Sequence, residues 1–152
     1  MRRPVNVLAA CCATLCLACA SSGRPSGATN ASVDRTPPAG TLAKVYYWRA
    51  KAGKLDEYSR YIRDGAEPID HEAQRAGGFL TVSTYVSHDP DTPWTHMRIF
   101  VLRDSAQLAG LSAALDAAGS RVEPDSVKRR VRGQYSATLR DRVGDATLEL
   151  LR

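Results

Sequence analysis

The stretch from Thr92 to Leu108, TPWTHMRIFVLRDSAQL, decides how the rest of the chain is read. From Trp94 to Leu102 it alternates, with Met97, Ile99 and Val101 on one side and Trp94, His96, Arg98 and Phe100 on the other, the period of two that marks a strand. The first row is plainly apolar and predicts the side that packs on a core. The second mixes aromatic rings with an imidazole and a guanidinium, which predicts a wet cavity or a contact with a partner. Arg103-Asp104-Ser105 follows at once, and Asp104 or Ser105 suits a helix N-cap. The strand therefore feeds a helix carrying Leu108, Leu111, Leu115 and Ala118, with Gly119 as its stop.

Upstream, residues 79–86 (FLTVSTYV) alternate Leu80, Val82 and Val86 against Phe79, Thr81, Ser83 and Tyr85. They predict a strand joined to the central one by a hairpin loop over residues 87–93, which holds two prolines and two aspartates. Residues 43–49 (AKVYYWR) predict a first strand with Lys44, Tyr46 and Trp48 on one face. Between these strands Leu55, Tyr58, Ile62, Ala66, Ile69, Ala73 and Ala76 recur at steps of three and four, an amphipathic helix closed by Gly77-Gly78. Pro68 inside that pattern predicts a kink one turn back, near Gly65. Downstream, Pro124 suits a first helical position, and Val127, Val131, Tyr135 and Leu139 repeat every four residues. They predict a further helix with Gly133 as its weak point, and strand competes for residues 134–140. Gly144-Asp145 reads as a turn into a last strand over residues 146–151.

The other end of the chain carries an export signature. Met1-Arg2-Arg3 is a short basic start, residues 5–18 are mostly small and apolar, and the segment is too short to serve as a stable membrane span. All four cysteines, Cys11, Cys12, Cys16 and Cys19, lie here, so the remainder has no thiol for a disulfide, a metal cluster or a nucleophile. Leu15-Cys16-Leu17-Ala18-Cys19 resembles the lipobox of bacterial lipoproteins, whose cysteine becomes the lipidated first residue. Cys16 stands where that motif prefers Leu. Leu8-Ala9-Ala10-Cys11 matches it better but leaves an apolar run at the bottom of the usual length ahead of it, so Cys19 is preferred. The expected division is a signal peptide over 1–18 (alternatively cut after 20, at Ala18-Cys19-Ala20), a tether over 19–40 and a domain over 41–152. The tether is built of Ser, Gly, Ala, Pro and Thr and cannot repay the entropy of ordering. The expected location is the cell envelope, membrane-anchored through Cys19, or alternatively periplasmic or secreted as a soluble protein.

With 152 residues, 43% hydrophobic and 24% charged, the chain suits one domain of ordinary composition. Its net charge of +5 includes Arg2 and Arg3; without them 19 basic residues face 16 acidic ones, too small an excess to imply a nucleic-acid partner. The one basic cluster, Lys128-Arg129-Arg130-Val131-Arg132, reads first as a solvated helix face and second as a surface for anionic lipid.

The predicted order is the βαββαβ of a ferredoxin-like α+β fold, an antiparallel sheet with helices on one face. The open side would carry Tyr46, Trp48, Phe79, Tyr85, Trp94 and Phe100. That is more aromatic surface than a monomer leaves in water, so a homodimer is expected. At KVYYWRAKAGKLDEY and WTHMRIFVLRDSAQL the chain resembles the dimeric α/β-barrel superfamily, which includes antibiotic-biosynthesis-monooxygenase-like, stress-responsive and NIPSNAP-like small proteins. The resemblance implies two sheets paired face to face around a cavity that holds a small molecule in the enzymatic members. Haem-degrading relatives use an Asn on the first strand with a Trp and a His further on. Residues 43–49 contain no Asn and residues 104–119 no His, so haem degradation is not expected, nor is any other cofactor.

Strand alternation assigns Tyr46, Trp48, Ser83, Tyr85, His96 and Arg98 to the cavity, against the alternative of a plain dimer interface. His96 is the best acid–base candidate, its ordinary pKa being nearest neutrality, and Arg98 would hold an anion or carboxylate. No metal site is expected. His71-Glu72-Ala73-Gln74-Arg75 lacks the second histidine of a zinc helix, and His88, Asp89 and Asp91 read as turn residues. The expected function is binding of a small, aromatic or anionic molecule. The alternatives are a cofactor-free monooxygenase or isomerase of the same fold, and a non-catalytic structural dimer.

Overall fold

The β-rich stretches form one antiparallel sheet in the order β2-β3-β1-β4, with β1 Leu42–Ala50, β2 Thr81–Val86, β3 His96–Leu102 and β4 Arg140–Glu149. The structure is a computed structural model in which residues 40–151 are described. The expected leader, Cys19 and all of the tether but Gly40 lie outside the described residues. Helices α1 Leu55–Tyr61, α2 Glu67–Arg75, α3 Ser105–Val122 and α4 Ser126–Leu139 complete the unit. Strand order and connections are those of the ferredoxin-like fold, with α4 added before the last strand.

Between α1 and α2, where a kink was expected, the chain widens into a π-helical turn, Ile62–Ala66, closed by the Glu67 amide donating to the Ile62 carbonyl. Pro68, at the start of α2, has no N–H to continue the helical ladder, and the wider turn around Gly65 absorbs that loss. Gly77, at φ +80°, takes the chain out of α2 in a left-handed conformation. A Cβ on Gly78 would lie 2.7 Å from the Cβ of Ala114, so the connection to β2 passes against α3 where only glycine fits. Asp104 caps α3, its carboxylate accepting from the Gln107 amide at 2.8 Å.

Several expected boundaries move. α3 continues through Gly119, which is buried against Ile69 of α2, so tertiary packing outweighs the propensity cost of about 1 kcal/mol. α4 is helical to Leu139, and strand begins at Arg140. Its N-cap is Asp125, which accepts from the amides of Val127 and Lys128, so Pro124 precedes the cap instead of opening the helix. Gly144-Asp145 is not a turn. β4 pairs along the length of β1, and the register shifts between Tyr47 and Trp48, opposite Gly144 and Arg142, leaving Val143 as a bulged residue.

The largest correction concerns the two faces of the sheet. In β3, Phe100 and Leu102 pack with Phe79, Ala73, Leu111 and Ala118 beneath α2 and α3, so the row that also holds His96 and Arg98 faces the helices. Register carries that face to Tyr46 and Trp48 in β1 and to Val82, Thr84 and Val86 in β2. Met97, Ile99 and Val101, expected in the core, share the opposite face with Tyr47, Ser83 and Tyr85, and no described helix covers it. A second cluster, Tyr58, Ile62 and Leu139 with Trp48 and Tyr61, fills the far end of the helix side. The physical reason for the reversal is partners: the polar members of the buried row meet polar groups on the helices, and the purely apolar row has none to offer.

Candidate functional site

Between sheet and helices lies a cavity of about 240 Å³. Its floor is Tyr46 and Trp48 of β1 with Arg98 and Phe100 of β3, brought together because Tyr46 pairs with Arg98 and Trp48 with His96 in antiparallel register. Tyr58, Tyr61, Ile62 and Ala66 close it from α1 and the π-helical turn, Ser112 and Leu115 from α3, and Arg140 from the start of β4.

The walls are mostly aromatic. Phe100 meets Tyr46 and Phe79 edge-on at 6.0 and 5.1 Å, and Tyr58 stacks beside Tyr61 at 6.3 Å. Burial pushes the Tyr58 hydroxyl up to about 12, with Arg140 opposing it, so this phenol stays neutral at physiological pH.

Two guanidinium groups enter this apolar setting. Arg98 is ion-paired with Asp70 of α2, and both side chains are largely buried. Burial raises the Asp70 carboxyl above its ordinary range, and the attraction of Arg98 opposes that rise. The Nε–H of Arg98 is buried without an acceptor. Arg140 lies 3.3 Å over the Trp48 ring and 5.5 Å from Tyr58, and its Nε donates to Ser136 Oγ at 2.9 Å. Among the described residues it has no carboxylate partner, and burial lowers its pKa.

Tyr46, Trp48 and Arg98 line this chamber on the helix side, not a cavity on the open face of the sheet where they were expected with Ser83, Tyr85 and His96. Ser83 and Tyr85 are exposed on the opposite face, because β2 register places them beside Ile99 and Met97. His96 is on the helix side but fully buried. Its Nε2 is 3.0 Å from Ser59 Oγ and its Nδ1 2.9 Å from Thr95 Oγ1, and Tyr58 packs edge-on at 4.4 Å. Burial lowers its pKa to about 4, with Arg140 adding to the effect. With both nitrogens engaged and no exposed surface, His96 does not line this chamber.

Tyr58, Tyr61, Asp70 and Arg140 were not singled out in the sequence. Asp70 sat within reach of a signal, a carboxylate beside Ile69 and Ala73 on an apolar helix stripe, where only a buried cation makes it tolerable. Arg140 offered none, since its place depends on where α4 ends. In the other candidate groups, Glu72 is engaged by Arg75 and Arg121, and Asp89 accepts from the Asp91 amide within its loop.

No family model and no curated protein matches the chain. Among solved structures, HapK from Hahella chejuensis is similar with a TM-score of 0.51 at 9% identity, over 72% of this chain and 92% of that one. SnoaB, a cofactor-independent oxygenase from Streptomyces nogalater, has a TM-score of 0.47 at 12% identity, over 75% of this chain and 96% of that one. The likeness to HapK is one of fold.

Proposed function

We propose that the domain binds a small aromatic anion in the cavity between sheet and helices. The observation that carries this reading is Arg140, a half-buried guanidinium stacked on Trp48 with no carboxylate partner among the described residues, in the wall of an aromatic chamber. A half-buried cation whose own partners, Trp48 and Ser136, are neutral gains from an anion beside it, and a ligand oxygen would also satisfy the Nε–H of Arg98. Tyr46, Tyr58, Tyr61 and Phe100 supply ring surface for an aromatic body. Calorimetric titration with 2-naphthoate and with 2-naphthylmethanol tests the reading. The acid should bind more tightly than the alcohol, and Arg140→Gln should weaken the acid about tenfold while changing the alcohol little. Equal binding of acid and alcohol, or an indifferent Arg140→Gln, would overturn it.

A cofactor-free monooxygenase or isomerase is the second reading. The same two guanidinium groups would stabilise an enolate or phenolate formed in the cavity. The substrate would have to lose its proton to a base other than His96, whose nitrogens are already engaged. A purely structural dimer is the third. A homodimer is part of all three readings, formed through the face of Tyr47, Tyr85, Met97, Ile99 and Val101. Tyr85 is 51% exposed there and Leu148 of β4 53%.

The export signature extends the proposal to location: a lipid anchor at Cys19 would hold the domain at an envelope membrane. In cells, Cys19→Ser should move the protein from the membrane fraction to the soluble fraction or stall it as the uncut precursor. A variant still membrane-bound with unchanged mass would sink the anchoring.

A further inference from the structure

Arg98 does not end the site. Beyond it lies a second chamber of about 520 Å³, and Tyr61, Ala66, Arg98 and Leu115 line both chambers. The shared wall takes one residue from each of four elements: Tyr61 from the end of α1, Ala66 from the π-helical turn, Arg98 from β3 and Leu115 from α3.

The charges of the outer chamber do not cancel. Asp70 is taken up by Arg98. Arg129 is oriented by the carbonyls of Glu123 and Pro124 at 2.7 and 2.8 Å, neutral acceptors that leave its charge unbalanced. The stem of Arg132 runs past Gly65, its Cδ 3.9 Å from where a Cβ there would stand. Its guanidinium has no hydrogen bond or ion pair among the described residues. Against these two cations the chamber sets one unpaired acid, Asp116.

We infer that the two chambers form one elongated site for an aromatic compound with acidic groups at both ends. The ring and first acid occupy the inner chamber, and a second carboxylate at the end of a short chain is held by Arg132 in the outer one. The inference rests on the aromatic-anion reading and narrows its ligand from any aromatic anion to a two-headed acid. Arg132 sits on α4 at the rim, where its flexible stem swings without disturbing the core, and Arg129 contributes field more than contact because its Nη1 is already bonded.

Three probes separate the possibilities in calorimetric titrations of the whole domain: 2-naphthoate, 6-pentyl-2-naphthoate and 6-(4-carboxybutyl)-2-naphthoate. The diacid should bind at least about tenfold more tightly than the pentyl compound, and Arg132→Gln should erase that advantage while 2-naphthoate affinity stays within about twofold. Unchanged 2-naphthoate affinity also reports that the variant is folded. If the diacid and the pentyl compound bind alike, or if Arg132→Gln weakens both equally, the second subsite is wrong and the aromatic-anion reading stands. If none of the three binds the parent protein, both fall.

Discussion

The two faces of β3 bury different kinds of residue for different reasons. On the helix side His96, Arg98 and Phe100 are enclosed, each against a matched group: Ser59 and Thr95 for the imidazole, Asp70 for the guanidinium, Phe79 and Tyr46 for the ring. On the other side Met97, Ile99 and Val101 lie half-buried with no described helix above them. Hydropathy ranks the second row as core; the structure encloses the first. A mixed row can lie under helices when each polar member finds its partner there, while the apolar row here is left without a described helix above it.

The sharpest way to break this comparison is to truncate neighbours on opposite faces. Phe100 is 2% exposed, so Phe100→Ala should cost roughly 3 to 5 kcal/mol in denaturant unfolding. Ile99→Ala, one residue away, should cost the isolated protomer about 1 kcal/mol or less. It should instead loosen self-association, seen as concentration-dependent elution at lower protein concentration than for the parent. Equal destabilisation by the two changes would mean that the faces have been assigned wrongly.

A smaller effect comes from pH. The folded-state pKa of His96 lies near 4, below its ordinary value near 6.5, so between those limits the unfolded chain binds the extra proton. Stability from this group is therefore complete above about pH 6.5 and falls as pH drops toward 4, by roughly 2 to 3 kcal/mol in all. Asp70, whose carboxyl is raised by burial, acts in the opposite sense at the acid end of that range. Unfolding curves between pH 7 and pH 4.5 should show the slope, and His96→Asn should flatten it. A parent and variant with parallel pH profiles would show that His96 is not buried uncharged.

Much of this was legible before any coordinates. The period of two in β3, the helix stripe from Leu55 to Ala73, the glycines that close it and a disturbance of the helix near Gly65, expected as a kink and found as a π-helical turn, are local consequences of side-chain spacing and backbone chemistry. They suffice for the order of elements and hence the ferredoxin-like fold. Parity also placed His96 and Arg98 on one face, because successive strand residues must point oppositely.

Which face that was could not be read from β3 alone, since parity relates residues to one another and not to a helix. The outcome depended on Asp70 and Ser59, 28 and 37 residues away along the chain, arriving opposite Arg98 and His96. Arg140 depended on the point at which α4 gave way to β4, a boundary where helix and strand propensities were balanced until pairing with Ala50 decided it. Sequence by itself determined the periodic elements, their order and the absence of thiols after Cys19. Tertiary structure alone decided which row of the sheet is enclosed and which cations share a chamber, because those outcomes rest on contacts between residues far apart in the chain, and local propensity carries no information about them.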